Sequence, residues 1–166
     1  FIRFIATLHN MAHPDLIPIY HADTGKMRDV KRIVRTDEEW ENILNPIVYD
    51  VARKGGTEPA FSGAYYATKT PGLYRCGCCG TDLFSSVDKF DSGTGWPSFS
   101  NPVSLRNIKS RQDLSHGMNR VEVLCACCDA HLGHVFNDGP PPSGLRYCMN
   151  SASLLFFPGV IAIRQE

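Results

Sequence analysis

The sequence predicts a mainly β fold, two antiparallel β-sheets preceded by short helices and tied by a four-cysteine clip. Three observations carry this reading. Beyond Gly56, short aromatic and β-branched runs alternate with Gly, Pro, Ser and Asn, the texture of brief strands joined by turns. No helical periodicity separates those runs, which disfavours βαβ units and a parallel sheet. Six of the 7 cysteines fall into two near-identical triplets, Cys76-Gly77-Cys78-Cys79 and Cys125-Ala126-Cys127-Cys128.

Taken in order, residues 1–35 read as an N-terminal arm, flexible or loosely docked. Phe1–Asn10 is apolar but too short and too broken for a secretory signal, so none is expected there. Thr36-Asp37-Glu38-Glu39 is a capping box, with the Thr36 hydroxyl and the Glu39 carboxylate each placed to meet the other's backbone amide. Trp40, Ile43 and Leu44 then give a helical face. Asn45-Pro46 ends that helix and starts another, with Asn45 as N-cap and Pro46 in the first turn. Ile47, Val48 and Val51 carry its stripe until Gly55-Gly56 stops it. Strands are expected over residues 65–67, 73–76, 103–108, 120–125, 134–136, 146–150 and 154–157. The best of them, Arg120-Val121-Glu122-Val123, alternates polar and apolar as a half-buried strand does. Residues 138–144, with three prolines between two glycines, form a loop. Residues 36–157 therefore make one catalytic-sized domain and 158–166 a tail.

Lys+Arg 17 balances Asp+Glu 17 in a 166-residue chain, and no basic cluster stands out. Phosphate-backbone binding needs such a cluster, so no nucleic-acid partner is expected. No apolar run approaches the length of a membrane span, and no membrane partner is expected either. Within a triplet the cysteines are poorly placed to bridge one another, which points to metal thiolates in a reducing compartment such as the cytoplasm. Cys76, Cys79, Cys125 and Cys128 form two C-x-x-C knuckles. Four soft thiolates with no open position suit one structural zinc per chain, with iron as the competitor. Cys78 or Cys127 could replace a neighbour, but an i,i+3 pair points both sulfurs at one ion and is preferred.

Cys148 lies outside both triplets. On a strand, Arg146, Cys148 and Asn150 share one face. A guanidinium beside a thiol favours the nucleophilic thiolate, and an amide can donate to a developing anion. A buried, inert cysteine would ordinarily be the better explanation, but polar groups on both sides of it on the same face argue for reactivity. His134 and Phe136 share parity on the strand before it, whereas His131 is offset and Gly133 permits a bulge. Trp96 sits on a loop between glycines and a proline, as core plug or wall of an apolar pocket.

Gly56-Thr57-Glu58-Pro59-Ala60-Phe61-Ser62-Gly63, the two knuckles, the run from Lys89 to Phe99, the run from His131 to Asp138, and Arg146-Tyr147-Cys148-Met149-Asn150-Ser151 together resemble the methionine sulfoxide reductase B family. The resemblance implies a fold of two antiparallel sheets, a structural zinc away from the reaction centre, and thiol-dependent reduction of peptidyl methionine R-sulfoxide. It implies Cys148 as nucleophile and Trp96 and Phe136 as the grip on the substrate methyl group. His134 would deliver the proton, with His131, Arg146 and Asn150 completing the site. Many members carry a recycling cysteine where this chain has Thr94, so the Cys148 sulfenic acid is expected to be reduced by thioredoxin or another external thiol. A monomer acting on oxidised proteins is the expectation. The competing readings are a zinc-ribbon binding module without catalysis and a Cys–His hydrolase.

Overall fold

Helix formation in this chain follows the caps written into residues 36–55. In the computed structural model, which describes residues 15–163, α1 spans Asp37–Ile43 and α2 spans Pro46–Lys54. Both halves of the capping box are made: Glu39 N donates to Thr36 Oγ1, and Thr36 N donates to Glu39 Oε2. Asn45 Oδ1 accepts from Ile47 N, and Gly55 closes α2 in the left-handed conformation. The helices bury Trp40, Val51 and Ala52. Ile43 and Ile47, expected on the buried stripe, are instead 56% and 67% exposed, because these short helices touch the sheets along a narrower seam.

The strands are β1 (Leu16–His21), β2 (Lys26–Lys31), β3 (Gly72–Cys76), β4 (Asp82–Ser85), β5 (Lys89–Phe90), β6 (Ser98–Phe99), β7 (Ile108–Asp113), β8 (Arg120–Cys125), β9 (His131–Phe136), β10 (Arg146–Met149) and β11 (Leu154–Pro158). All pair antiparallel, in a six-stranded sheet ordered β5-β6-β10-β9-β8-β7, a three-stranded sheet ordered β11-β3-β4, and the β1-β2 hairpin. Between the two larger sheets lies an aromatic core in which Phe84 stacks on Phe99 at 4.5 Å and Tyr74 meets Phe99 edge-on at 5.0 Å. Residues 65–67, expected as a strand, form a turn, and of residues 103–108 only Ile108 enters one.

The hairpin lies inside the segment read as a loose arm. Ile19, Tyr20 and Ala22 are buried, and Asn107 ties the hairpin down. Its Oδ1 accepts from Tyr20 N at 2.8 Å, while its Nδ2 donates to Tyr20 O and Asp82 O at 2.7 Å each. The tail docks on the same hairpin, with Ile163 N donating to Ala22 O and Tyr20 Oη donating to Ile163 O, both at 2.7 Å. The expectation for Phe1–Asn10 lies outside the described residues, as do residues 164–166 of the tail. Among the described residues, no helix is long and apolar enough to cross a membrane.

Candidate active site and metal centre

Strand register places two of the candidate catalytic residues, His134 and Cys148, in one transverse row. Arg111, Glu122, His134, Cys148, Ser98 and Phe90 are successive pairing partners across the six-stranded sheet. Pairing partners share a face, and neighbouring strands lie about 4.8 Å apart, so His134 and Cys148 are adjacent side chains. The close approach of β9 to β10 requires glycine at 133, where a Cβ would stand 2.1 Å from Cys148 O. The expected bulge is present, since Val123 pairs with Gly133 while Leu124 pairs with His131. It turns His131 onto the His134 side, and the two rings meet edge-on with centroids 5.4 Å apart.

Arg146 and Phe136 are the next pair along the same face, and the guanidinium lies 4.5 Å over the ring. Asp138 fixes it by two hydrogen bonds of 2.9 and 3.0 Å. Burial pushes the Cys148 thiol up, outweighing the Arg146 charge and the Thr94 and Ser98 hydroxyls that pull it down. The resting sulfur is therefore a thiol, where the Arg146 charge alone would have favoured a thiolate. Thr94 and Ser98 belong to a hydroxyl cluster in which Ser92 Oγ lies 2.8 Å from each.

Asn150 stands apart from the row. Its Oδ1 accepts from Glu58 N at 3.1 Å and its Nδ2 donates to Leu132 O at 3.3 Å. The same Glu58 accepts Ser151 N and Ala152 N on its carboxyl group, and its carbonyl accepts Trp96 Nε1 at 3.0 Å. Asn150 thus organises the loop that aims the half-buried indole.

His131 and His134 are each backed by a carboxyl group and each carboxyl by an arginine. His134 Nε2 is 2.7 Å from Asp113 Oδ2, which also receives Arg120 Nη2 at 2.8 Å. His131 Nδ1 is 2.6 Å from Glu122 Oε1, and Glu122 Oε2 receives Arg111. Hydrogen bonds from Ser115 and His134 hold Asp113 well below the usual carboxyl range. Burial pulls His134 below its ordinary value against the opposing hydrogen bond to Asp113. A ring held below its ordinary value is mainly neutral at pH 7. Nε2–H faces Asp113 and Nδ1 is left as the basic nitrogen. Among the described residues, buried His131 Nε2 has no hydrogen-bond partner. Asp113, Glu122, Glu58 and Ser98 escaped sequence reading because each meets its partner only through strand pairing or a long loop.

The knuckles converge as spaced. Cys76 ends β3, Cys125 ends β8, and the four sulfurs of Cys76, Cys79, Cys125 and Cys128 all lie within 4.8 Å of one another. Cys76–Cys128 and Cys79–Cys125 are 3.7 and 3.6 Å apart. A tetrahedron with metal–sulfur bonds of about 2.3 Å has edges of about 3.8 Å, so the donor set fits zinc without rearrangement. Gly80 and Asp129 occupy matching left-handed positions in the two turns, with Gly80 N donating to Cys76 O and Asp129 N to Cys125 O. Cys78 and Cys127 stay outside the cluster, as do both histidines. The clip joins the two larger sheets, and the Cys148 row belongs to the six-stranded one.

The SelR domain family matches residues 44–158. Over 123 residues the chain is 57% identical to the peptide methionine sulfoxide reductase MsrB of Acinetobacter baylyi, covering 74% of this chain and 88% of that relative. It is 56% identical over 127 residues to the protein of the same name from Azotobacter vinelandii, covering 76% and 96%. Against that of Pseudomonas aeruginosa it is 55% identical over 129 residues, covering 78% and 98%.

Proposed function

The chain belongs to the SelR domain family, and from that premise we propose that it reduces the R epimer of methionine sulfoxide in proteins, as a monomer in the cytoplasm. The relatives named above are peptide methionine sulfoxide reductases, and methionine sulfoxide reduction is the activity that membership supports. The observation that carries the finer reading is the pairing of Cys148 with His134 under Arg146.

The resting pair holds one proton, on sulfur. When substrate arrives, His134 Nδ1 takes that proton, and Asp113 on the far nitrogen stabilises the imidazolium. The Cys148 thiolate attacks the sulfoxide sulfur while the imidazolium returns its proton to the sulfoxide oxygen. The oxygen passes to Cys148 and the S–O bond of the substrate breaks. Methionine leaves with two electrons gained, and Cys148 is left as a sulfenic acid. An external thiol, thioredoxin in the cell, condenses with it to a mixed disulfide and releases water; a second thiol frees Cys148. Trp96 and Phe136 grip the methyl group, and Arg146 favours the thiolate as it forms. Zinc on the four cysteines supplies folding energy and no chemistry.

Separated epimers of a blocked methionine sulfoxide test this directly. With dithiothreitol the R epimer is expected to turn over and the S epimer to remain. Cys148→Ser should lose all turnover with its fold and metal content intact, because a hydroxyl is a far weaker nucleophile near neutral pH. Reduction of the S epimer, or appreciable turnover by the serine variant, overturns the assignment.

A further inference from the structure

Trp96 faces a second space that the reaction does not use. A cavity of about 540 Å³ lies beside the indole, lined by Phe61, Tyr66, Phe90 and Trp96, by Lys69 and Lys89, and by the acidic Asp91. Cys148 does not line it. The rim is preformed: Phe61, in the left-handed conformation at φ 65, donates its N–H to Gly95 O at 2.9 Å. The loop carrying Thr94 and Trp96 is thereby tied to the Phe61–Tyr66 edge-on pair. Neither lysine has an ion-pair partner among the described residues, although Asp91 lies close enough to Lys89 to attract it. Lys89 Nζ donates to Tyr66 O at 2.9 Å, and burial together with the Lys69 charge disfavours its ammonium form. Two lysines against one acidic group leave this aromatic-walled space with an excess of positive charge, which an anion of side-chain size balances.

We propose that this cavity is a substrate subsite that takes an acidic side chain of the polypeptide flanking the oxidised methionine. It deepens the reductase reading and rests on it, since Trp96 is the wall shared by the methyl-binding site and the cavity. The aromatic rings take the methylenes of a Glu or Asp side chain, and the two lysines take its carboxylate.

The test compares two R-sulfoxide peptides of equal length, one with Glu on both sides of the oxidised residue and one with Lys. At low ionic strength kcat/KM is expected to favour the acidic peptide about fivefold to tenfold, collapsing towards unity in about 0.5 M salt. Lys69→Glu should bring the ratio to unity or invert it, and Lys89→Met should bring it below about twofold. Because the readout is a ratio within one enzyme, a general loss of activity cancels. Lys26→Glu, the same charge change on the exposed β2, is expected to keep the ratio. Equal rates for both peptides, an unchanged ratio in Lys69→Glu, or an equal fall in Lys26→Glu overturns the subsite. Blocked methionine R-sulfoxide is assayed beside them with the unaltered protein. If it is reduced while the peptide ratio is unity, the subsite alone fails; if it is not reduced, the reductase reading fails.

Discussion

Glu58 offers the sharpest test of how the site is held together. It is 8% exposed, and its carboxyl group accepts Ser151 N at 2.6 Å and Ala152 N at 2.9 Å, the first two amides beyond Asn150. Its own amide and carbonyl engage Asn150 and Trp96. Glu58→Ala strands one buried and one part-buried donor, each costing about 1–3 kcal/mol, so about 3 kcal/mol in total is expected. For a chain of this size that lowers Tm by about 6–12 °C. Glu58→Gln keeps one acceptor oxygen but turns an NH2 towards the second amide, and should lose about half as much. Loosening residues 57–63 also releases the indole, so KM for blocked methionine R-sulfoxide should rise in Glu58→Ala more than kcat falls. Thermal melts and steady-state kinetics on the three proteins measure both effects. An alanine variant within 0.5 kcal/mol of the parent, with KM unchanged, refutes the view that this carboxyl group organises the site.

Elemental analysis should find one zinc per chain, retained in Cys78→Ser and Cys127→Ser and lost with a lowered Tm on serine substitution of Cys76, Cys79, Cys125 or Cys128. The one-proton Cys148–His134 pair exists between the folded His134 value, held below its ordinary value of about 6.5, and that of Cys148, raised above about 8.5. kcat/KM is therefore expected to be flat from about pH 6.5 to 8.5, falling on the acid side as His134 gains a second proton and on the alkaline side as Cys148 loses its own. Arg146→Met removes a charge that pulls the thiol down, so its alkaline limb should move to higher pH; a limb that stays put excludes Arg146 as a control on the nucleophile. The Thr94 hydroxyl is near enough to Cys148 to pull its thiol down. Thr94→Cys should therefore form an internal disulfide when given one equivalent of substrate without reductant, where the parent leaves a dimedone-reactive sulfenic acid. Mass spectrometry separates the two.

What the sequence revealed depended on whether its partners were local. The capping box, the Asn45 N-cap and both knuckles are closed within a few residues, and all stand as their spacing implies. β8 was found by its alternation, although Val121 is exposed and Glu122 buried, the reverse of the half-buried reading; β7 and β2 are polar almost throughout and carry no hydrophobic rhythm. β4 is buried along its whole length and also lacks alternation. The row through Cys148 was half legible: parity placed Arg146 with Cys148 and His134 with Phe136. Glu122 and Asp113 come from strands whose register follows from turns and a bulge, and no local pattern couples them to the histidines. Asn150, chosen by parity, has its amide directed into the Glu58 loop by the chain's departure from the strand after Met149.

The clip joining the two sheets also imposes an order on assembly. Cys76 and Cys79 must wait for Cys125 and Cys128, so a metal bound there would close a ring of about fifty residues at an entropic cost near 3–4 kcal/mol, which its bonds to sulfur would offset many times over. A chain made from its N-terminus contains all four of these cysteines before Cys148 is added. The lone sulfur of Cys148 would thus meet a scaffold whose metal already had four ligands and no vacancy left to fill.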